Sequence, residues 1–225
     1  MKTTIHQKYP KTPHLPMSPG YRPADDIQLS DMLTFANQEV VITEKLDGEN
    51  TTMYHDFIHA RSLDSGNHPT RSWVKALHGR MAHLIPPDLR ICGENVFATH
   101  SIHYDQLPTY FFVFAIFSQA GECWAWDDVV RLATELGLTT VPVLYRGPFN
   151  PDIINSLSAP RQSLFGEQAE GYVIRNANAF PSSQFPHNVA KYVRPHHITT
   201  DTHWMHQRYV SNQLKVPEIS SLSID

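Results

Sequence analysis

The stretch TEKLDGEN, at residues 43–50, joins a predicted strand to a tight turn. Residues 41–46 are apolar enough to predict a strand, and Asp47-Gly48 is a dipeptide typical of turns. A lysine at a strand end before a glycine turn can project its amine into a pocket, so Lys45 is a candidate nucleophile. A surface lysine beside an ordinary β-turn fits the same residues, and this stretch alone leaves both interpretations open.

Lys45 can act as a nucleophile only in its neutral form. A free lysine has a pKa of about 10.4 and is protonated at neutral pH. Nearby cations or a metal ion lower that pKa, and activated lysines depend on such neighbours. A catalytic Lys45 therefore requires charged partners from elsewhere in the chain.

Short strands and a few helices follow without a repeating strand–helix–strand order. Alternating or continuous apolar patterns predict strands at residues 51–56, 57–62, 89–97, 110–117, 139–145, 170–176 and 188–194. The tripeptide QAG at 119–121 predicts a hairpin turn. This order indicates an α+β fold with antiparallel sheets.

The first predicted helix covers residues 69–84 and is amphipathic. Its apolar residues recur at helical spacing: Trp73, Leu77, Met81 and Leu84. Arg71 and Lys75 give it a basic surface, which is either an ordinary solvated face or a flank of a nucleic-acid groove. Both residues are therefore candidate contacts for a nucleic acid.

Two further helices are predicted by their start and stop signals. Residues 127–137 begin at an Asp127 or Asp128 cap and end at Gly137. Residues 151–157 form a shorter helix with a proline near its start.

The composition excludes several classes of protein. The chain has 225 residues, 41% of them apolar, and a net charge of −4, which argues against coating nucleic acid by bulk attraction. Two cysteines, Cys92 and Cys123, are too few for a disulfide framework. The sequence shows no signal peptide and no apolar run of about 20 residues, so we expect a cytoplasmic protein that does not enter membranes.

The predicted domain organisation has three parts. Residues 1–27 contain five prolines and form an arm whose Lys8, Lys11 and His14 contact phosphates or simply face solvent. Residues 28–200 form the main domain and residues 201–225 a tail.

Other charged and aromatic pieces follow Lys45 in a fixed order. They are Arg61-Ser62, Gly93-Glu94, the run around Phe112 and Phe114, Glu170-Gly171 and Lys191. In this order EKLDGEN, ARS, CGENVF, FVFAIF, EGYVIR and AKYVR resemble the motifs of the covalent nucleotidyltransferase superfamily, which contains ATP-dependent polynucleotide ligases and mRNA capping enzymes. The sequence is most similar to the RNA ligase 2-like branch, and the resemblance spans residues 44–194.

The resemblance implies a nucleotidyltransferase (ATP-grasp-like) domain of antiparallel sheets flanked by helices. It also implies an ATP-dependent RNA ligase that uses Mg²⁺ or Mn²⁺ and joins RNA ends carrying a 5′-phosphate and a 3′-OH. Lys45 would attack the α-phosphorus of ATP and form lysyl-AMP, AMP would pass to the 5′-phosphate, and the 3′-OH would then displace it.

The resemblance also assigns site residues. The nucleotide-binding residues would be Glu44, Lys45, Asn50, Arg61, Glu94, Phe114, Glu170 and Lys191. Glu170 would hold the metal with help from Asp47, and Arg194 would contact RNA. Phe114 would stack on adenine, with Phe112 as the alternative, although an aromatic residue in an apolar strand is more often part of the core.

Two positions depart from the branch pattern. Ala115 replaces the acidic residue that commonly follows the stacking aromatic, and Val193 replaces a second lysine in AKYVR. Only 31 residues follow Arg194, too few for an OB-fold domain, so RNA binding could need a separate partner. A DNA ligase, a GTP-dependent capping-type enzyme and a non-catalytic nucleotide or RNA-end binding module stay open as alternatives.

Five histidines cluster towards the C-terminus: His187, His196, His197, His203 and His206. Their irregular spacing and the absence of a nearby cysteine favour surface or RNA-contacting histidines over a zinc site.

Overall fold

Two sheets and four helices make up the fold in a computed structural model, which describes residues 5–195 and 209–216. The strands are β1 Glu39–Lys45, β2 Glu49–Met53, β3 Ile58–His59, β4 Leu89–Asn95, β5 Phe111–Ser118, β6 Glu122–Cys123, β7 Thr139–Thr140, β8 Val143–Pro148, β9 Gly171–Asn176, β10 Phe180–Pro181 and β11 Val189–Val193. The helices are α1 Ser72–Met81, α2 Trp126–Glu135, α3 Pro151–Leu157 and α4 Phe185–Asn188. The predicted α+β class is confirmed.

The smaller sheet has four strands in the order β11-β9-β1-β8, all antiparallel. The larger has seven, in the order β10-β6-β5-β4-β2-β3 with β7 beside β5. The β5–β7 pair is parallel, which is a small exception to the antiparallel prediction. Strands β1 and β2 belong to different sheets, so the chain crosses between the sheets at residues 46–48.

Close packing fixes this crossing. A Cβ atom added to Gly48 would lie 2.5 Å from the carbonyl oxygen of Asn95 in β4. Only glycine allows the turn to approach that strand so closely. The turn therefore holds the end of β1, and Lys45 with it, against the second sheet.

Strand β1 is apolar on both faces because both are covered. Val40 and Ile42 pack with Ile154 of α3 and Tyr172 of β9. Val41 belongs to a separate core with the helices α1 and α2. Since successive side chains alternate, Thr43 and Lys45 share the face of Val41.

The helices agree with their predictions except at one cap. Helix α1 lies within the predicted 69–84 segment, and short 3₁₀ turns extend it on both sides. Helix α2 was expected to be capped by Asp127 or Asp128, and this was wrong: its N-cap is Ala125, and both aspartates lie in the first turn. There they still stabilise the helix, because their negative charges interact favourably with the positive N-terminal end of the helix dipole.

The two sheets meet through a third apolar cluster. Cys92 of β4, Ala115 and Phe117 of β5 and Val189 of β11 are buried together.

The N-terminal arm pairs with β11. The amide of Leu15 donates to the carbonyl of Lys191 at 2.8 Å, and the amide of Lys191 donates to the carbonyl of Pro13 at 2.9 Å. Gly20 donates in the same way to Val193 at 3.0 Å. The boundary of the arm at residue 27 stays a prediction.

Residues 209–216 lie against the loop that follows β4. The buried Asn212 accepts from the amide of Tyr104 at 2.9 Å and donates to the carbonyl of Val96 at 2.8 Å. The division at residue 200 stays a prediction, and the end at 217–225 lies outside the described residues. Among the described helices, none has the length and apolar character needed to cross a bilayer.

Candidate active site

A cavity of about 1070 Å³ opens beside the end of β1. Seven of the residues predicted to bind nucleotide line it: Glu44, Lys45, Asn50, Arg61, Glu94, Phe114 and Lys191. They come from both sheets and from the loop after β3, so the fold brings together positions that are up to 147 residues apart in sequence. Glu170 is buried behind the wall and reaches the cavity through Lys45.

Lys45 and Glu170 form the ion pair at the centre of the site. The Lys45 Nζ donates to Glu170 Oε2 at 2.6 Å. The geometry follows from sheet register, because Lys45 is paired with Gly171 and Glu170 directly precedes that residue. A Cβ on Gly171 would lie 1.9 Å from the carbonyl oxygen of Tyr192, so the glycine lets β9 and β11 meet at this point.

The charges around this pair shift each other's pKa. Burial lowers the pKa of Lys45, but Glu170, Glu94 and Asp47 outweigh that effect and raise it, which is opposite to the lowering expected from cationic neighbours. Burial raises the pKa of Glu170 to about 7, although Lys45 opposes the rise. Burial likewise raises the pKa of Glu94 to about 8, with Lys45 again opposing it and Glu170 and Asp47 adding to it. The site thus places three carboxyl groups around Lys45, and burial raises the pKa of two of them.

Asn50 and Glu94 lie opposite each other on β2 and β4. The Asn50 Oδ1 is buried and has no hydrogen-bond partner among the described residues. A buried amide oxygen without a partner costs about 1–3 kcal/mol, which a bound ligand could recover.

The Glu44 side chain lies on the opposite face of β1 from the Lys45 side chain, so Glu44 lies next to Lys45 only through its backbone. Its Oε1 accepts from Ser163 Oγ at 2.6 Å, and its Oε2 accepts from the amide of Leu164 at 3.2 Å. Arg161 Nη1 lies 3.7 Å from the same carboxylate. The carboxylate therefore anchors the segment before β9.

Asp47 is used within the turn. Its Oδ2 accepts from the amides of Ser101 at 2.7 Å and Ile102 at 3.0 Å, and its own amide donates to Tyr104 Oη at 2.8 Å. Asp47 is also not among the described residues that line the cavity. The geometry gives it a role in holding the turn next to Lys45.

Phe112 and Phe114 have different surroundings. Phe112 is fully buried and packs on Phe165 at a ring-centroid distance of 5.2 Å. Phe114 is half-buried, lines the cavity and meets Tyr9 edge to face at 5.0 Å. Only Phe114 of the two is accessible to a ligand.

The basic residues divide into three groups. Arg61 is exposed at the mouth of the cavity, and Lys191 lies inside it. Arg71 lines the cavity too, but its Nε and Nη2 donate to Glu49 and its Nη1 to the carbonyl of Gly66, and Lys75 donates to Asn67. Their roles as RNA contacts stay predictions.

Arg194 faces away from the cavity. It lines a separate pocket of about 110 Å³ with Arg161 and Tyr192, on the other side of the sheet from Lys191. The opposite facing of Arg194 and Lys191 was expected from strand alternation.

Residues of the N-terminal arm that the sequence did not single out also line the cavity. They are Tyr9, Thr12, Asp25 and Asp26, and Lys11 lies with them. Proline-rich segments have no apolar periodicity, so no sequence signal placed them there.

The two departures from the branch pattern are apolar contacts. Ala115 is buried where the sheets meet, and Val193 is buried against Gly20 of the arm. Neither supplies a charge to the cavity.

No group of three or more metal-binding side chains occurs within residues 5–195 and 209–216. Of the C-terminal histidines, His187 lies in α4, and the other four lie outside the described residues.

Comparison with known proteins identifies the family. The family model of the RNA ligases matches residues 38–193, which is more than half of the chain. The chain therefore belongs to the RNA ligase family, and the family prediction made from the six motifs is confirmed.

Solved structures of the Naegleria gruberi RNA ligase share the fold. A ligand-free mutant of that protein has a TM-score of 0.55 at 18% identity, covering 72% of this chain and 51% of the other. Another mutant, with ATP and Mn, has a TM-score of 0.53 at 19% identity, with 73% and 52% covered. The same ligase with PPi gives 0.51 at 19% identity, with 72% and 51% covered.

This chain thus spans about half the length of those structures. Comparison with proteins of curated function finds no match.

Proposed function

We propose that this chain is an ATP-dependent RNA ligase that forms lysyl-AMP on Lys45. The observation that carries the proposal is the Lys45–Glu170 contact of 2.6 Å at the wall of a cavity large enough for a nucleotide. The family match supports the class of reaction, and the ATP and Mn in the Naegleria gruberi structure support the choice of nucleotide and metal.

The proposed nucleotide lies between the two sheets. Phe114 stacks on adenine, with Val173 of β9 also on the cavity wall. Glu94 accepts from a ribose hydroxyl, and the unpaired Asn50 amide contacts the same nucleotide. Arg61 and Lys191 neutralise phosphate oxygens.

The carboxylates fit a hard divalent cation. Mg²⁺ is commonly held by one or two carboxylates together with substrate phosphates, so a complete set of protein ligands is not required. We assign Glu170 to this role, directly or through water, and leave Asp47 to support the turn because its Oδ2 is occupied. When bound, the cation neutralises phosphate charge.

The first chemical step uses Lys45 as the nucleophile. The Lys45 ammonium gives up a proton to Glu170 Oε2, which lies 2.6 Å away, and the other oxygen of that carboxylate, Oε1, is the one left for the cation. The neutral amine attacks the α-phosphorus, a P–N bond forms, the bond to the β-phosphate oxygen breaks and pyrophosphate leaves. Lys191 faces the same region and stabilises the charge on the α-phosphate.

Two later steps complete the proposed reaction. The AMP passes from Lys45 to a 5′-phosphate end of RNA, and a 3′-OH then attacks that end and releases AMP. Arg194 lies on the other side of the sheet, so any RNA contact it makes lies outside the nucleotide cavity.

Self-adenylylation provides the test. The chain is incubated with α-labelled ATP or GTP and Mg²⁺ or Mn²⁺, denatured and examined for retained label. We expect label from ATP, its loss in Lys45→Ala and its retention in Lys75→Ala, because Lys75 is a matched lysine outside the cavity wall.

Each other result has a defined meaning. Label from GTP alone would indicate a capping-type enzyme, and ATP binding without label would indicate a binding module. Pre-adenylylated chain is then offered nicked and single-stranded RNA or DNA with 5′-phosphate ends. Sealing of DNA but not RNA would refute the RNA assignment.

A further inference from the structure

The N-terminal arm contributes a carboxylate to the active-site cavity. Asp26 lines the cavity, and its Oδ1 lies 3.5 Å from the Nζ of Lys191. Asp26 precedes residues 38–193, which match the family model, so its contact with Lys191 is a feature of this chain's arm.

A buried relay fixes the position of Asp26. Its Oδ2 lies 3.4 Å from Nε2 of His14, whose side chain is 2% exposed. The His14 Nδ1 is 2.8 Å from Ser18 Oγ, and that oxygen accepts from the amide of Val193 at 3.0 Å. A neutral His14 satisfies all of these groups: the Ser18 hydroxyl donates to Nδ1, and Nε2–H donates to Asp26.

The charges are consistent with this assignment. Burial and the positive charge of Lys191 lower the pKa of His14 to about 4, so the ring is neutral at ordinary pH. Burial would raise the pKa of Asp26, but Lys191 and His14 lower it overall, so the carboxylate is ionised. Asp26 is therefore the charged partner of Lys191.

The arm also holds Lys191 through its backbone. Leu15 and Pro13 bind the carbonyl and amide of Lys191 at 2.8 and 2.9 Å. The backbone contacts fix the start of the side chain, and Asp26 fixes its end. Asp26 favours the charged form of Lys191, whereas burial and the neighbouring Lys45 disfavour it and lower its pKa overall.

We propose that Asp26 is a positioning residue for lysyl-AMP formation, which holds the Lys191 ammonium where it meets the α-phosphate of a nucleotide bound beside Lys45. The inference rests on the proposed function. The arm is then part of the active site, because the Asp26 carboxylate, which lies before residue 28, positions the phosphate-binding Lys191.

The test compares Asp26→Asn and Asp26→Glu with the parent in single-turnover labelling by α-labelled ATP. We expect Asp26→Asn to lower the rate at saturating ATP by about 10-fold to 100-fold, because misplacement of a charged group by about 1 Å has effects of this size. The ATP concentration for half-maximal rate should change much less, and Asp26→Glu should recover most of the rate. Glu122→Gln, an exposed carboxylate outside the cavity, is the control.

A double variant separates positioning from folding. If Asp26 acts through Lys191, adding Asp26→Asn to Lys191→Ala lowers the remaining rate by less than about twofold. An equal loss in both backgrounds, or a lower melting temperature with an unchanged rate, would overturn the inference. A parent chain that takes no label would instead overturn the proposed function, and this inference with it.

Discussion

Replacing Glu94 by glutamine should make the ligand-free protein more stable, and increasingly so as the pH rises. Burial raises the pKa of Glu94 to about 8, so the folded state resists ionisation of a group that the unfolded chain ionises near its ordinary value of 4.5. A raised carboxyl pKa means that stability is lost as pH rises between these two values. Glutamine has nearly the same shape, keeps an oxygen that can accept from the Gly48 amide, and carries no proton to lose.

The size of the effect follows from the two pKa values. Between these two pKa values, each pH unit lowers the free energy of unfolding of the parent by about 1.4 kcal/mol. The parent has therefore lost about 3 kcal/mol of stability near pH 7 and about 5 kcal/mol beyond pH 8. Urea unfolding of Glu94→Gln and the parent should therefore give nearly equal stabilities near pH 4.5 and the full difference at alkaline pH.

The exposed substitution Glu122→Gln serves as the control and should show no such divergence. A stability difference that is the same at acid and alkaline pH, or a Glu94→Gln protein that is less stable at alkaline pH, would refute the reasoning. The variant should lose self-adenylylation while it gains stability. The Glu94 carboxylate destabilises the ligand-free protein, but it is the group proposed to bind ribose.

The remaining predictions test the cavity and its supports. Phe114→Ala should weaken ATP binding by about 1–3 kcal/mol in a titration with little change in melting temperature, whereas Phe112→Ala should lower the unfolding free energy by about 3–5 kcal/mol. Equal effects of the two would contradict the assignment of Phe114. Gly171→Ala should destabilise the fold by more than about 3 kcal/mol in urea unfolding, since its Cβ would lie 1.9 Å from the Tyr192 oxygen. Asn212→Ala should cost about 2 kcal/mol by removing buried hydrogen bonds, and a neutral result would show that residues 209–216 are not held as described.

The sequence predicted the site through local signals that recur in a fixed order. Lys45 before Asp-Gly, Glu94 after a glycine and Glu170 before one are short patterns, and strand register then places them together. The choice between Phe112 and Phe114 could not be made in this way, because both lie in one apolar run with the same strand parity. Only packing against Phe165 separates the buried ring from the accessible one.

The contributions of the chain ends could not be predicted. Asp26 and Tyr9 reach the cavity through backbone pairing between an irregular segment and β11, which leaves no periodic pattern in the sequence. Asn212 is likewise a single polar residue whose buried partners come from a loop more than 100 residues earlier. The predicted cap of α2 was wrong because Asp127 and Asp128 are both residue types that favour a cap, yet they lie two and three positions after the N-cap Ala125.

The pairing of the arm with β11 has a consequence for solubility as well as catalysis. Strand β11 is one of the two edge strands of its sheet, and an edge strand with free backbone groups invites pairing with another molecule. Residues 13–20 occupy the amide of Lys191 and the carbonyls of Lys191 and Val193, and prolines 13, 16 and 19 cannot themselves donate to a further strand. The arm therefore covers this edge of the sheet, and a chain shortened to the family-matched residues 38–193 would expose the backbone groups of β11, with self-association as the expected result.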